Sequence, residues 1–473
     1  MKTLMQRWCV IVLLLPLGAC GGSLSSPTTP TPTPVPPGSS LRLPLKASSN
    51  SRYLVDQNGS PTLVVGDAAH DLFVNLDSSG LTTYLADRKS RGFNALWVES
   101  LCDDYVADCR ADMTTFDGIR PFTSGTDKSN YDISTPNPDY WSRVDSFINK
   151  AESYGMTIFL DTWETGALMP LARSNGNSKM HDFGVFLGNR YKDVPNLVWI
   201  TGNDFQTWRN STDNALAQSL MTGISSADTH HLQTTELDYH ASGSLDNPLL
   251  TPLSGLSSVF DYYCSYGQTL SQYNQAKPVP VYFLEGYYEF NNWILGNVTT
   301  AANLRTQAWW AALSGSTAGQ FYGSERVYTF DSGWQTYLGT DGTVQFGYLQ
   351  TLLHSLKWYN LIPDQNHTIV TSGYGSFDSG SNNDCINSNT YVATSYLADG
   401  SASVSYTPKS AALSVDLSRF SGPVTAKWFD PSSGQSTTIM GSPFSNSGSQ
   451  NFATPGANAA GDPDWVLLLT TSP

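Results

Sequence analysis

The chain is short of charge, and of positive charge most of all. Only 14% of its 473 residues are Asp, Glu, Lys or Arg, against about 25% in ordinary soluble domains. Lys and Arg number 25 against 40 Asp and Glu, a formal net charge of −15, which sets nucleic acid aside as a partner because like charges repel it. Its apolar runs are also short. The longest near the start, Val10 to Leu17, cannot span a bilayer as a permanent helix. No glycine-rich loop follows the first predicted strand, so a dinucleotide or phosphate cradle is not expected. No cysteine or histidine cluster has zinc spacing, and neither a metal nor another cofactor is expected. Aromatic residues are plentiful at 12%. Together with abundant hydroxyl and amide side chains they suit recognition of neutral polyols.

Residues 1–19 have a basic start at Lys2 and Arg7, an apolar stretch, and small residues before Cys20, which is the pattern of a secretory signal. Leu17-Gly18-Ala19-Cys20 resembles the bacterial lipobox, which implies cleavage before Cys20 and lipidation of its thiol; an ordinary signal peptide is the alternative. Residues 20–40 are rich in Thr, Pro, Ser and Gly, a composition that makes an extended spacer rather than a core. The expected location is the bacterial cell envelope, with the membrane met through the lipid anchor alone. The chain holds six cysteines. Cys9 leaves with the signal and Cys20 is committed to lipid. Cys102 with Cys109 closes a small loop and is the expected disulfide in an oxidising compartment. Cys264 with Cys385 follows mainly by elimination, and its pairing is left open.

From Thr62 onward the chain alternates continuous apolar runs with segments of helical period. The predicted strands are Thr62–Gly66, Phe93–Val98, Met156–Leu160, Leu197–Thr201, Leu232–Glu236, Val259–Tyr263, Val279–Leu284 and Ala318–Tyr322. Eight alternations over roughly 300 residues predict an α/β fold, a (β/α)₈ TIM barrel over residues 41–363; a doubly wound open sheet is the alternative. The segment after the fifth strand has no clear helix. Past Pro363 the helical period disappears. Short alternating runs such as Tyr391–Tyr396, Ala402–Tyr406 and Val424–Phe429, separated by turn residues, predict an antiparallel β-sandwich domain over 364–473.

Barrel strands covered on both faces read as apolar runs, and residues just past their C-terminal ends face the mouth. Asn203-Asp204 ends the fourth run and Glu285 ends the seventh. Two carboxylates so placed meet the needs of glycoside hydrolysis, in which one protonates the leaving oxygen and the other attacks or activates water. In the retaining case Glu285 is the nucleophile and Asp204 the acid/base, with the Glu285 charge keeping Asp204 protonated at the start. Around this pair the same reasoning places Asp67, His70, Glu99, Trp163, Asn203, His240, Tyr266 and Glu325 as substrate-binding candidates. Asn203 would hold a sugar hydroxyl and Tyr266 would hold the Glu285 oxygen in line. Each has a bland alternative: Asp67 as a turn cap, His70 as a core histidine, Trp163 as a lid on the barrel, Glu325 as a partner of Arg326.

Arg52-Tyr53-Leu54-Val55-Asp56, Gly66-Asp67-Ala68-Ala69-His70, Leu85-Ala86-Asp87-Arg88 with Gly92-Phe93-Asn94, and Gly202-Asn203-Asp204 together resemble the apiosidase-like catalytic domain of glycoside hydrolase family 140. Trp428-Phe429-Asp430-Pro431-Ser432-Ser433-Gly434 and Asp464-Trp465-Val466-Leu467 resemble its companion, a β-sandwich named for collagen binding. The resemblance implies a retaining barrel hydrolase with an aspartate acid/base and a glutamate nucleophile after strands four and seven, matching Asp204 and Glu285. It also implies a polysaccharide or oligosaccharide substrate: apiose-linked side chains of the pectin rhamnogalacturonan II. A retaining glycosidase acting on another glycan and a non-catalytic sugar-binding lipoprotein are the alternatives. Collagen as a partner rests on the companion's name alone, and a rigid support for the barrel is the preferred role.

Overall fold

The computed structural model describes residues 43–101, 110–238, 241–292, 295–378 and 385–471. Residues 1–40, including Cys20, lie outside this set, as do Cys102, Cys109 and His240. The described chain opens with a small antiparallel sheet of Lys46–Ala47, Leu54–Val55 and Pro61–Thr62, turned at Gly59 with φ +83°. Asp56 accepts backbone N–H bonds from Asn58 and Ser60 within that turn, as aspartates do where the chain reverses.

The barrel strands follow: β1 Val64–Ala68, β2 Ala95–Glu99, β3 Thr157–Glu164, β4 Leu197–Gly202, β5 Gln233–Thr235, β6 Ser257–Asp261, β7 Val281–Glu285 and β8 Gly319–Tyr322. They pair in parallel in the order β5-β4-β3-β2-β1-β8-β7-β6. Between β5 and β6 the ring is joined by one backbone bond, Gly255 N–H to the Gln233 carbonyl at 2.9 Å. Hydroxyls of Ser244 and Ser258 add to it, each donating to the Thr235 carbonyl at 2.6 Å. Small hydroxyl residues thus close the barrel where continuous strand pairing stops. The segment after strand five, where the sequence shows no clear helix, forms the strand Ala241–Gly243, antiparallel to β6, and two short 3₁₀ turns.

Two apolar layers hold the barrel. Val64, Ala68, Ala95, Trp97, Phe159, Val198, Ile200, Tyr282, Leu284 and Phe321 fill its interior. Leu96, Val98, Ile158, Leu160, Leu197 and Trp199 face outward against helices that include Ser78–Ser90, Pro138–Ser153, Thr165–Tyr191 and Ser211–Ala227. This is the alternation a two-sided strand demands, at about 25 cal/mol per Å² of apolar area buried.

The C-terminal β-sandwich has a six-stranded antiparallel sheet, from Leu361–Pro363 at one edge to Ser436–Thr438 at the other, and a three-stranded sheet of Val370–Ser372, Ala412–Asp416 and Ser449–Ala453. Leu413, Val415 and Phe452 pack with Ala426, Leu467 and Leu469 between the two sheets, and the opposite face of the six-stranded sheet shares a core with the barrel: Trp309, Trp310, Leu313, Phe346 and Leu349 pack with Tyr391, Val404, Tyr406, Phe429 and Leu468. Within that interface the buried Arg305 guanidinium donates to both Asp464 carboxylate oxygens, at 2.7 and 2.8 Å. Tyr406 also donates to Asp464, at 3.0 Å. Cys264 and Cys385 form a disulfide across the interface, with Cα atoms 5.6 Å apart.

Candidate active site

Strand alternation decides which terminal residues look into the mouth. On β2, Ala95 and Trp97 point inward, so Glu99 does too; on β3, Phe159 brings Asp161 with it. On β1, Val64 and Ala68 are interior, and Asp67 therefore points out. Asp67 is fully buried and accepts from Tyr84 and Arg88 of the helix Ser78–Ser90. It fastens that helix to the barrel and does not line the site, which corrects its assignment to substrate.

Two irregularities override simple alternation. Val259 pairs with Phe283 and Phe260 pairs with Glu285, so Leu284 is an extra residue in β7. A bulge bends the strand and re-aims the side chain that follows it. Leu284 stays in the barrel interior while Glu285, two residues past the outward-facing Phe283, joins the carboxyl cluster. A second register shift lies between Asp161 and Glu164 on β3. There Trp163 turns into the outer core against Phe183, and Glu164 caps the next helix through the N–H of Ala167 at 2.6 Å. Trp163 is 1% exposed and is part of the core, not of a substrate surface.

At the end of β4 the backbone is forced into an uncommon path. Gly202, Asn203 and Asp204 have φ of +142°, +50° and +50°. Left-handed conformations cost an L-residue about 1–2 kcal/mol, and Gly, Asn and Asp are the types that tolerate them. A Cβ on Gly202 would lie 2.0 Å from the Glu236 carbonyl oxygen. The turn thus carries Asn203 and Asp204 over the mouth and brings β5 close beneath them. Strain of this kind, held by surrounding structure, is characteristic of active sites.

Glu285 accepts a hydrogen bond from the Tyr262 hydroxyl, with the Tyr288 hydroxyl and the Glu236 carboxyl beside it. Burial, then the negative charge of Asp204, push Glu285 well above the usual carboxylate range, and these three partners pull it down. Asp204 thus acts electrostatically on Glu285, and it acts on Glu236 as well. Burial pushes Tyr262 and Tyr288 well above the ordinary phenol range, so both remain hydroxyl donors. Behind them runs a buried line of polar contacts. His70 Nε2 is 3.0 Å from the Tyr288 hydroxyl, His70 Nδ1 is 3.1 Å from Glu99 Oε1, and Asn203 donates to the same Glu99 oxygen at 2.7 Å. Burial lowers His70 to about 3, so the imidazole that meets the Tyr288 hydroxyl is neutral.

The structure therefore brings His70, Glu99, Asn203, Asp204 and Glu285 into one network. Glu325 lies at its margin, hydrogen-bonded to Asn291 and facing Arg326, with burial raising it above the usual range. Tyr266 is elsewhere. It accepts from the Asp378 N–H at 2.9 Å and packs on Trp310 and Tyr391 between barrel and sandwich, so Tyr262 and Tyr288 hold Glu285 in its place. Glu236, Tyr262 and Tyr288 were not foreseen from sequence. Glu236 ends the predicted fifth strand as Glu285 ends the seventh, and that shared position was the signal available for it.

A parallel barrel with strand-end carboxyls gathered beside tyrosine hydroxyls is an arrangement that glycoside hydrolysis can use. The fold is shared by a solved glycoside hydrolase, 21% identical over 90% of this chain and 97% of that one, with TM-score 0.75. A glycoside hydrolase family 5 structure from Bacteroides vulgatus ATCC 8482 is also 21% identical, over 90% and 93%, with TM-score 0.75. The chain belongs to the family described as "Apiosidase-like, catalytic domain", whose profile matches residues 48–360. Residues 382–470 match the "Putative collagen-binding domain of a collagenase". No curated protein matches the chain in sequence.

Proposed function

We propose that the protein is a retaining glycosidase with Glu285 as nucleophile and Asp204 as acid/base, acting on apiose-linked side chains of rhamnogalacturonan II. The observation that carries the mechanism is the hydroxyl supply to Glu285: it receives the Tyr262 hydroxyl and has Tyr288 beside it, in a cluster whose carboxyls cannot all be charged. Donors favour the ionised form of the group they serve. Glu285 is thus the carboxylate that attacks, forming a bond to the anomeric carbon as the glycosidic C–O bond breaks and Asp204 passes its proton to the departing oxygen. Water then attacks the same carbon, Asp204 takes its proton, and the Glu285 ester bond breaks. Asn203, which donates to Glu99, meets a sugar hydroxyl beside the reacting carbon in this reading, where contacts tighten in the transition state.

Membership in the apiosidase-like family supports the choice of sugar. The test is sugar release from rhamnogalacturonan II oligosaccharides and a wider glycan panel, with Glu285→Ala and Asp204→Ala alongside. Apiose-containing product from the parent, lost in both variants, is the expected result. Release from another glycan with the same losses keeps the mechanism and replaces the substrate. A folded, fully active Glu285→Ala protein would refute the nucleophile assignment, and no release from any glycan by the parent would favour a sugar-binding lipoprotein.

We further propose, from residues 1–40, that Cys20 is lipidated and holds the enzyme at the bacterial envelope. Incorporation of labelled palmitate that is abolished by Cys20→Ala tests this.

A further inference from the structure

Directly after β5, Glu236 is completely buried. Among the described residues no N–H or O–H donor reaches either of its side-chain oxygens, and its carboxyl lies close enough to that of Glu285 for the two to act on each other. Two carboxyl groups can share a hydrogen bond only through a proton that one of them carries. The titratable groups facing Glu236 are Glu285 and Tyr282 from β7, Tyr288 just beyond it, Asp204 after β4 and Asp161 on β3. All are acids, and no cation stands among them to balance a second charge. Glu285 has hydroxyl donors from its own side of the site and Glu236 has none.

The Glu236 backbone is fixed as well: its N–H donates to the Thr201 carbonyl at 3.2 Å, and Gly202 leaves room for its carbonyl only because it lacks a Cβ. The turn that presents Asp204 and the segment that presents Glu236 are therefore one packed unit.

We propose that Glu236 is a protonated positioning residue, a neutral carboxylic acid that donates its proton in a hydrogen bond to Glu285. This rests on the reading of Glu285 as nucleophile. No proton leaves Glu236 during turnover. It donates to the free carboxylate before attack, stays with the ester oxygens in the covalent intermediate, and bonds more strongly again as negative charge returns to Glu285 when the ester breaks. The arrangement lets a carboxylate remain ionised in a buried acidic cluster without a cation. Burial together with the Glu285, Asp204 and Asp161 charges raises Glu236 well above the ordinary range, in agreement with the donor geometry.

The test compares pH profiles of kcat/KM for the full chain, Glu236→Gln and Glu236→Leu, with thermal melts to score folding. The amide of Glu236→Gln still donates, so its acid limb should stay in place with a three- to tenfold loss. Glu236→Leu removes one donor in a dry site, so its acid limb should rise by about one pH unit. If Glu236 were ionised, Glu236→Gln would remove a neighbouring charge and the acid limb would fall by a unit or more, which overturns the proposal. Limbs unmoved in both variants overturn it equally. An infrared difference spectrum, parent minus Glu236→Gln at neutral pH, reads the proton without turnover: a protonated-carboxyl C=O band is expected, and its absence refutes the proposal even if Glu236→Leu fails to fold. That spectrum does not depend on activity, whereas an active Glu285→Gln would defeat the nucleophile reading alone.

Discussion

Replacing Tyr262 by Phe isolates one atom of the site. The ring is buried, stacked parallel to Tyr287 with centroids 5.9 Å apart and edge-on to Phe260 at 4.8 Å, so phenylalanine keeps the packing and loses only the hydroxyl that Glu285 accepts. A hydrogen bond to a charged group contributes about 1.5–3 kcal/mol, and one pKa unit corresponds to about 1.36 kcal/mol. The donor favours the carboxylate, so its loss raises Glu285 further, by about one to two units. Activity needs the ionised form and disappears as pH falls through that pKa, so the acid limb of kcat/KM moves up by the same amount. The two chemical steps should respond differently. Attack consumes the charge on Glu285, and breaking the ester restores it, so the missing hydroxyl mainly slows the second step. Stopped-flow turnover of a glycoside with a good leaving group should then show a burst, with kcat and KM falling together. An acid limb at the same pH in Tyr262→Phe and parent would refute the claim that this hydroxyl tunes the nucleophile.

Asp67→Asn removes one partner of the buried pair with Arg88 and should cost about 3–5 kcal/mol of stability, read by denaturant titration. The folded fraction should keep its KM; a KM rise at unchanged stability would return Asp67 to the substrate surface. Reducing the bridge between Cys264 and Cys385, or replacing both by Ser, frees residues 121 apart in sequence. The chain-entropy argument puts the loss at about 4–5 kcal/mol, measured against parent by chemical denaturation. Barrel and sandwich share one core, so both should unfold in one transition that moves as a unit, and separate transitions would contradict that interface.

Local sequence was enough to set the rhythm of the barrel, because a strand covered on both faces and a helix covered on one leave apolar patterns of different period. It was also enough to place carboxylates at the ends of strands four and seven, and Gly202-Asn203-Asp204 carries the residue types that a left-handed turn accepts. The direction of each side chain was a matter for tertiary structure. Asp67 is one residue out of phase with the interior of β1; Trp163 is turned away by the shift in β3, and Glu285 is turned inward by the extra residue Leu284. Such shifts arise from pairing between strands distant in sequence, which no local pattern encodes. Tyr266 lies close in sequence to Tyr262 but belongs to the interface with the sandwich, a partner more than a hundred residues away. The Cys264–Cys385 bridge, open at the level of sequence, was decided by that same docking. Glu236 had the strand-end signature, but its meaning depends on which acids and hydroxyls surround it, and only the closed ring of strands brings those together.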